Sequence, residues 1–454
     1  MATVRSVRCQ MVRASGAGSG EETASLVERL WSGHESSSLL SRAARAVGAG
    51  SATDWGMPPT VDAPEGMIML GGGIPDPGTL PRAELSAALG RVLAVPGDGA
   101  LRYAGALGYD ALREAIARRS GEGAGAEQIM LTNGSAGAID IVCSTFLDPG
   151  DVVVVESPTF SGSTRTFRGH GAEVATVPVD GDGLDVEALA ALLGRLEEEG
   201  RRAKLVYTIP TYHNPTGATL SLERRRRLLH LAAGHGALVI EDDAYGEIAF
   251  DDARPPSLVS LAGGVGVVAV RTFSKILATG LRVGWIRAEA PLIGQMATVR
   301  HDMGGSPLLH AMLVEYMAEG RLETHVARMR PLYAARASVL AEALRRHASP
   351  HLDFVPPRGG FFLWVRLAAR LSAPALQRVA IEEGVSFPVG HAFYPERGAA
   401  AERHIRLAYS TLPERELGEA ARRIGRACRR VAADAATRPV GRRPQTKSRL
   451  KGKR

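Results

Sequence analysis

Residues 204–241 decide the fold, because they have the pattern of a strand, a helix and a second strand. The apolar runs Lys-Leu-Val-Tyr-Thr-Ile (204–209) and Ala-Leu-Val-Ile-Glu (237–241) are bounded by Pro, Gly or polar residues, as buried strands are. Between them, residues 221–233 have a helical pattern that ends at Gly234, which we expect to be the C-cap. Strands that alternate with helices indicate a parallel α/β sheet.

The same alternation extends on both sides of this stretch. Further short apolar runs predict strands at 128–132, 152–156 and 267–270, and residues 184–199 predict a helix with Asp185 as its N-cap. The expected fold is therefore a large, doubly wound, mainly parallel α/β sheet. After residue 320 the pattern becomes that of a smaller α+β domain. It has helices at 325–347, interrupted at Pro331, and at 417–431, with strands at 360–367 and 406–410.

The changes in pattern predict five segments. Residues 1–66 form a partly disordered N-terminal extension with one short helix at 38–47, and residues 67–100 pack with the small domain. Residues 101–324 form the large domain and residues 325–436 the small one. Residues 437–454 form a disordered basic tail.

The composition narrows the class of protein. The 454 residues carry a formal net charge of +7, but residues 437–454 hold 8 basic and no acidic residues, so the rest of the chain is at −1. The overall charge is thus no argument for nucleic acid as a partner. The 3 cysteines have no metal-binding or disulfide spacing, and no apolar run is long enough for a membrane span. We expect a cytoplasmic protein without a metal site.

Polar residues follow each predicted strand of the large sheet, where ligands of open α/β sheets bind. The strand at 128–132 runs into Asn-Gly-Ser-Ala-Gly (133–137), a glycine-containing turn that could hold an anion at a helix N-terminus. The strands at 204–209, 237–241 and 267–270 run into an amide, a carboxylate pair with a tyrosine, and a lysine, at Asn214, Asp242-Asp243-Ala244-Tyr245 and Lys275. The residues before the tail contain only two lysines, and the whole chain contains only two asparagines.

One cofactor needs all of these groups together. A lysine can form a Schiff base, a carboxylate can hold a ring nitrogen protonated, and an amide and a phenol can bind a phenolic oxygen. A helix N-terminus with Ser, Thr and Arg can bind a phosphate. These are the requirements of pyridoxal 5′-phosphate (PLP).

Nine motifs, in order, make the sequence from Leu70 to Val431 similar to a known family. It resembles the fold-type-I PLP-dependent aminotransferases of class I/II, which share the aspartate-aminotransferase-like fold, and within them the branch with 2-aminoadipate and kynurenine aminotransferases. The motifs are Leu-Gly-Gly-Gly-Ile-Pro-Asp-Pro (70–77), Leu-Arg-Tyr-Ala-Gly-Ala-Leu-Gly-Tyr-Asp-Ala-Leu-Arg (101–113), Thr-Asn-Gly-Ser-Ala-Gly-Ala-Ile-Asp (132–140), Glu-Ser-Pro-Thr-Phe (156–160), Asn-Pro-Thr-Gly (214–217), Glu-Asp-Asp-Ala-Tyr-Gly-Glu (241–247), Thr-Phe-Ser-Lys with Gly-Leu-Arg-Val-Gly (272–275, 280–284), Gly-Gly-Phe-Phe-Leu-Trp (359–364) and Ile-Arg-Leu-Ala-Tyr-Ser (405–410).

The resemblance implies roles for the catalytic residues. Lys275 is the expected Schiff-base lysine, which also moves the substrate proton. Asp242 is expected at the pyridine nitrogen, and the family pattern Asp-x-x-Tyr favours it over Asp243. Tyr245 and Asn214 are expected at the phenolic oxygen, with His213 as a supporting residue.

The resemblance also implies the remaining contacts. The expected phosphate contacts come from Ser135, Ala136, Thr272, Ser274 and Arg282, with Phe160 stacked on the ring and Tyr103 reaching the phosphate of a partner subunit. Such a homodimer would have shared active sites. Arg406 is expected to bind the α-carboxylate of the substrate, with help from Gly73 and Asn214.

The implied activity is a ping-pong transfer of an amino group from an L-amino acid to a 2-oxo acid. Another PLP-dependent reaction (decarboxylation, elimination or oxidation) and an aminotransferase-like regulator stay open as alternatives. A serine hydrolase would need Ser135, Asp242 and His391 or His404, but Asn133 breaks the G-x-S-x-G motif. A dinucleotide site at the glycines of 264–266 would be misplaced, because they precede a strand.

Overall fold

The computed structural model describes residues 20–32, 36–50, 64–121, 123–251, 254–396 and 398–437. They belong to two compact units that divide after Gly50. The first unit contains α1 (Gly20–Trp31), a 3-10 turn (Ser36–Leu39) and α2 (Arg42–Gly50). The predicted helix at 38–47 is therefore wrong in its bounds, because the Ser41 hydroxyl accepts from the Ala44 amide (3.0 Å) and fixes the start of α2. Helix α1 was not predicted from the sequence.

The second unit contains the strands and the remaining helices. Its strands are β1 (Ile68–Met69), β2 (Ile129–Thr132), β3 (Val152–Ser157), β4 (Glu173–Asp180), β5 (Gly183–Leu184), β6 (Ala203–Thr208), β7 (Leu238–Asp242), β8 (Val267–Thr272), β9 (Gly284–Arg287), β10 (Leu352–Asp353), β11 (Phe362–Leu367), β12 (Val385–Ser386) and β13 (His404–Ala408). Its helices are α3 (Arg82–Ala94), α4 (Asp110–Ser120), α5 (Gly134–Phe146), α6 (Ser161–Gly169), α7 (Val186–Glu198), α8 (Leu222–Gly234), α9 (Leu258–Leu261), α10 (Ala290–Val299), α11 (Pro307–Met317), α12 (Arg321–Ala348), α13 (Ala373–Glu382) and α14 (Glu414–Thr437).

The large sheet has eight strands in the order β2-β9-β8-β7-β6-β3-β4-β5. The central pairs β8/β7, β7/β6, β6/β3 and β3/β4 are parallel, and β9 and β5 join by antiparallel pairing. Side chains that alternate along β3 pack on opposite faces: Val153 and Val155 lie against α5 and α6, and Val152 and Val154 lie against α7 and α8. The predicted large, mainly parallel sheet with helices on both faces is confirmed.

The ends of two helices test the capping predictions. The Asp185 carboxylate accepts from the amides of Glu187 and Ala188 (both 3.0 Å), so the predicted N-cap of α7 is confirmed. The predicted C-cap of α8 is wrong by one residue. Gly234 is still helical and His235 is the cap, because the left-handed turn falls at Gly236 (φ +64°).

The smaller α+β region is built on the antiparallel sheet β10-β11-β13. The expected interruption at Pro331 is wrong, because α12 continues through this residue. Met329 and Tyr333, on either side of the proline, are buried in the core, and this packing offsets the missing backbone hydrogen bond. Strands β11 and β13 each differ from their predicted bounds by two residues, and α14 extends beyond the predicted 417–431 at both ends.

The segment after residue 67 links the two regions of this unit. Strand β1 pairs in parallel with β12, with Ile68 opposite Val385, whereas α3 packs on α11. The domain boundaries at 66, 100, 324 and 436 stay predictions, and the basic tail after Thr437 lies outside the described residues. No helix in the described part of the chain is long and apolar enough to cross a membrane.

Candidate active site

The carboxyl ends of β2, β6, β7 and β8 lie at one edge of the large sheet, and the predicted site residues follow them. The amine of Lys275, in the turn after β8, donates to the Gly73 carbonyl (2.7 Å). Burial and the charge of Arg406 lower the pKa of Lys275 to about 8, although the nearby Asp242 acts in the opposite direction. At pH 7 about a tenth of this amine is therefore neutral, which is far more than for an ordinary lysine.

Asp242, the last residue of β7, is a buried carboxylate with one oxygen in use. Its Oδ2 accepts from the Tyr207 hydroxyl (2.7 Å), whereas Oδ1 has no hydrogen-bond partner among the described residues. Burial raises the pKa of Asp242 to about 6, against the lowering effect of the Tyr207 hydrogen bond. Asp243 is engaged elsewhere, since it accepts from the Gly246 amide (2.9 Å). Of the two residues, Asp242 is the one that is buried with an oxygen that has no described partner, which suits a protonated ring nitrogen.

Arg406 on β13 is held rigidly next to Asn214. Its Nη1 donates to Asn214 Oδ1 (3.0 Å) and its Nη2 to the Gly71 carbonyl (2.7 Å). The guanidinium carbon lies 4.1 Å from the ring centroid of Phe362 and 4.6 Å from that of Phe393. Cation–π contact with both rings holds a planar group that suits a carboxylate.

Tyr245 lies beside the lysine. Its ring centroid is 5.8 Å from Lys275 Nζ, and it makes edge contacts with Phe361 (5.6 Å) and Phe362 (5.5 Å). Burial raises the pKa of Tyr245 above its ordinary value, so this phenol keeps its proton and can donate it to an oxygen.

Residues 71–74 form a strip of backbone that faces both regions. The carbonyl of Gly71 accepts from Arg406, that of Gly73 from Lys275, and that of Ile74 from the Ser410 hydroxyl (2.6 Å). A Cβ atom on Gly73 would lie 2.4 Å from Phe362 Cζ, so the strip approaches this ring as closely as only glycine allows.

The N-terminus of α5 provides the place for an anion. Ser135 and Ala136 lie in its first turn, where backbone amides have no partner within the helix. Arg282 has a left-handed backbone (φ +51°), and its Nη2 lies 3.4 Å from the Asn133 carbonyl. A Cβ on Gly134 would lie 2.7 Å from the same Nη2, so glycine lets the guanidinium reach this helix end.

The remaining residues predicted to contact the phosphate or the ring are Thr272, Ser274, Phe160 and Tyr103, and not all of them lie near the other site residues. The hydroxyl of Thr272 donates to that of Ser274 (2.9 Å) at the end of β8. Phe160 is the N-cap of α6, and its ring packs over Gly162. Tyr103 stands apart: it is 80% exposed and makes no described hydrogen bond or ring contact with the other predicted residues.

The sequence analysis missed two buried groups at this site. Tyr207 on β6 bonds to Asp242, but a tyrosine in an apolar strand has the pattern of an ordinary core residue. Glu156 at the end of β3 accepts from the Thr208 hydroxyl (2.6 Å) and the Ile209 amide (2.8 Å), and His213 Nε2 lies 3.1 Å from its Oε2. His213 Nδ1 also lies 2.9 Å from the Thr216 hydroxyl, within the loop that carries Asn214, and its supporting role stays a prediction.

The rival sites are not assembled. His391 contacts Glu402 (2.8 Å), and His404 contacts the Ala400 carbonyl (2.8 Å) and stacks on Trp364, so neither ring bonds to Ser135. The glycines at 264 and 266 precede β8, at the opposite edge of the sheet. Within the described ranges no group of three or more His, Cys, Asp or Glu side chains could hold a metal ion.

The residues of the cluster fit PLP: an amine, a carboxylate with an open oxygen, a phenol, an amide and a helix N-terminus with an arginine.

Comparisons with known proteins agree with this interpretation of the site. The family aminotransferase class I and II matches residues 65–424. The chain is 36% identical to the 2-aminoadipate transaminase of Thermus thermophilus over 366 residues, which are 80% of this chain and 90% of that protein. It is 31% identical over 364 residues to aromatic-amino-acid aminotransferase 1 of Thermococcus litoralis, covering 79% of this chain and 87% of that one.

A solved structure extends the agreement to the fold and the cofactor. The alpha-aminoadipate aminotransferase of Thermus thermophilus, complexed with N-(5′-phosphopyridoxyl)-L-leucine, superposes with a TM-score of 0.78 at 33% identity, covering 88% of this chain and 100% of that one. The chain therefore belongs to the class I and II aminotransferases, and it is a PLP-dependent transaminase of fold type I.

Proposed function

We propose that Lys275, Asp242, Asn214 and Tyr245 form the catalytic part of the PLP site, and that Arg406 binds the α-carboxylate of the amino acid. The observation that carries this proposal is the presence, at one sheet edge, of a buried amine and a buried carboxylate that affect each other's pKa. Lys275 has a pKa lowered to about 8 by burial, and Asp242 keeps one oxygen without a partner. Neither feature serves packing, because burying an amine or a carboxylate without full pairing costs stability.

Bound PLP supplies a cationic ring that withdraws electrons from the substrate carbon that loses its proton. Asp242 Oδ1 would accept a hydrogen bond from the protonated ring nitrogen, and the Asn214 amide and the Tyr245 hydroxyl would donate to the phenolic oxygen. Lys275 Nζ in its neutral form would remove the substrate's Cα proton and would carry this proton during the amino transfer. Arg406 fixes the carboxylate, and with it the direction of the Cα–H bond.

For the phosphate, the supporting geometry is at the start of α5. The amides of Ser135 and Ala136 and the guanidinium of Arg282 are the main donors, with Thr272 and Ser274 at the side. Phe160 covers the ring. A helix N-terminus favours an anion, and the arginine adds a full charge to it.

The proposed amino donors have large side chains that are aliphatic with a distal carboxylate, branched aliphatic, or aromatic. Support comes from the relatives, which are named for 2-aminoadipate and for aromatic amino acids, and from the leucine conjugate in the related structure. The acceptor is a 2-oxo acid such as 2-oxoglutarate or pyruvate.

The test begins with the purified full-length protein. It should show a visible absorbance that borohydride traps, and Lys275→Ala should lose both. A panel of amino donors should then change this absorbance in the half-reaction, with 2-aminoadipate and aromatic amino acids among the fastest. A wild-type protein that stays colourless with added PLP would contradict the proposal.

We also propose a cytoplasmic homodimer in which Tyr103 reaches the phosphate of the partner. Exposed apolar side chains that precede Tyr103 in the sequence support an interface, because exposed apolar surface marks interaction sites. They are Leu93 (55% exposed), Val95 (67%) and Leu101 (66%). Mixing inactive Lys275→Ala with a Tyr103→Ala variant should restore activity, since a mixed dimer has one site with both residues intact. Mixtures that are no more active than their components would exclude shared active sites. Cell fractionation tests the proposed cytoplasmic location.

A further inference from the structure

Tyr207 and Asp242 lie diagonally on the same face of the large sheet. Tyr207 pairs with Ile240 across the parallel strands β6 and β7, and Asp242 lies two residues beyond Ile240. Both side chains therefore point to the same side. The Tyr207 hydroxyl donates to Asp242 Oδ2 (2.7 Å), and both residues are at most 5% exposed.

A second hydrogen bond fixes the direction in which Tyr207 donates. The Ser163 hydroxyl donates to the Tyr207 oxygen (2.8 Å), so the single phenolic proton is directed to Asp242. The ring of Phe167 makes an edge contact with the Tyr207 ring at 5.4 Å. Ser163 and Phe167 lie one turn apart on α6, and Phe160, the proposed ring cover, is the N-cap of this helix. Helix α6 thus positions both Phe160, which is proposed to cover the cofactor ring, and Tyr207, which bonds to Asp242.

We propose that Tyr207 is a positioning residue that occupies Oδ2 of Asp242 and so presents Oδ1 to the ring nitrogen of the cofactor, with Ser163 orienting the phenol. This inference rests on the proposed role of Asp242. The unshared Oδ1 supports it, because a carboxylate held at one oxygen keeps the other in a fixed direction.

The charges around Asp242 give Tyr207 a second effect. Burial and the neighbouring carboxylates of Asp243 and Glu156 raise the pKa of Asp242, whereas the Tyr207 hydrogen bond and the charge of Lys275 lower it. Without the phenol, Oδ2 would lose its only described donor and the carboxylate would take up a proton at higher pH.

Binding of pyridoxamine 5′-phosphate to the full-length protein, freed of cofactor, tests the inference across pH 5 to 9. This probe cannot form a Schiff base with Lys275, so its affinity reports the non-covalent contacts. Tyr207→Phe keeps the ring packing. The ratio of its dissociation constant to that of the wild type should be near one at pH 9 and should rise to about ten at pH 5. That ratio corresponds to an upward pKa shift of about one unit. Ser163→Ala should show a smaller rise in the same direction.

Tyr316→Phe, which removes a phenol that is equally buried on α11, is the matched control and should not change binding at any pH. In an Asp242→Asn background, Tyr207→Phe should add less than twofold, because its partner carboxylate is gone. A ratio that does not vary with pH, or an undiminished effect in that background, would overturn the inference. If Asp242→Asn alone left binding unchanged, the proposed role of Asp242 itself would fail.

Discussion

Arg406 donates a hydrogen bond to Asn214 over 3.0 Å, and this bond joins the small sheet to the loop that follows β6. The proposed carboxylate-binding group and the proposed cofactor-binding amide therefore share one contact. Because the guanidinium is also held between Phe362 and Phe393, its position is set before a substrate arrives. Such preorganisation lowers the cost of aligning the reacting bond.

Replacing Arg406 by lysine should reduce kcat/KM for amino acids by about 100-fold or more, because an ammonium group cannot form the planar paired contact or stack between two rings. The visible absorbance of the cofactor should persist. Steady-state kinetics with the best donor measure the effect. Arg366→Lys on the neighbouring strand β11 is the control, since Arg366 is exposed and pairs with Asp353. Equal losses in both variants would contradict the role of Arg406.

Gly73→Ala should raise KM for the amino acid while leaving the protein folded. The new methyl group would lie 2.4 Å from Phe362 Cζ, and the displaced ring would press on the Arg406 guanidinium. Gly90→Ala on α3 is the matched control, because a Cβ there meets nothing within 4 Å. This second variant should keep normal kinetics and gain about 1 kcal/mol of stability from the helix propensity of alanine. Unchanged kinetics in Gly73→Ala would show that the ring can move away freely.

The cofactor-free protein should become more stable when its site loses Lys275. Burial lowers the pKa of Lys275 from 10.5 to about 8, so below pH 8 the folded state carries the full cost of a buried ammonium. Lys275→Met should therefore raise the free energy of unfolding at pH 7 by up to about 3 kcal/mol. Between about pH 8 and 10.5 the unfolded wild-type chain binds more protons, so wild-type stability rises and this advantage shrinks. Urea unfolding across pH measures both effects.

Lys204→Met is the control for that experiment. Lys204 is the other lysine before the tail, and it forms an ion pair with Asp151 (2.7 Å). Its replacement should not stabilise the protein. A loss of stability in Lys275→Met would mean that burial of this amine costs nothing.

Arg225→Ala should destabilise the protein by about 3–5 kcal/mol, because it removes a fully buried charge and leaves its partners unpaired. Its guanidinium donates to the carbonyls of Leu220 (2.9 Å) and Pro210 (2.7 Å) and to the Thr211 hydroxyl (2.8 Å). These bonds close the loop that carries Asn214, so cofactor affinity should fall as well. Arg226→Ala, at the exposed neighbouring position on α8, should change stability by less than about 0.5 kcal/mol. Thermal unfolding compares the two variants, and similar midpoints would contradict the argument.

The sequence predicted the large sheet and most of the site because both depend on local patterns. Each buried strand is a short apolar run, and the chemical residues follow directly after the strands. Lys275 and Asp242 could thus be found without knowing how the strands pair. Lysine and asparagine are rare before the tail, and this rarity strengthened the prediction that Lys275 and Asn214 belong to the PLP site.

The features that could not be predicted from the sequence depend on contacts between residues far apart in the chain, which local patterns do not indicate. The bond from Tyr207 to Asp242 needs the register of β6 and β7, and Phe393 reaches Arg406 from a separate turn. Pro331 predicts a break by its own chemistry, but packing on both sides of it decides otherwise. These are cases in which tertiary structure overrides local preference.

The pairing of β1 with β12 determines when, during synthesis, the fold around residues 68 and 69 can form. Ile68 is made early in translation and Val385 late, so this contact has one of the largest sequence separations in the chain. Contacts of this kind form late, because a long loop must close first. A nascent chain that ends before β12 already holds Lys275 and Asp242, but it lacks Arg406, which donates to the Gly71 carbonyl, and the strand that pairs with β1. We therefore expect the emerging protein to gain its cofactor-binding groups before it can hold a substrate.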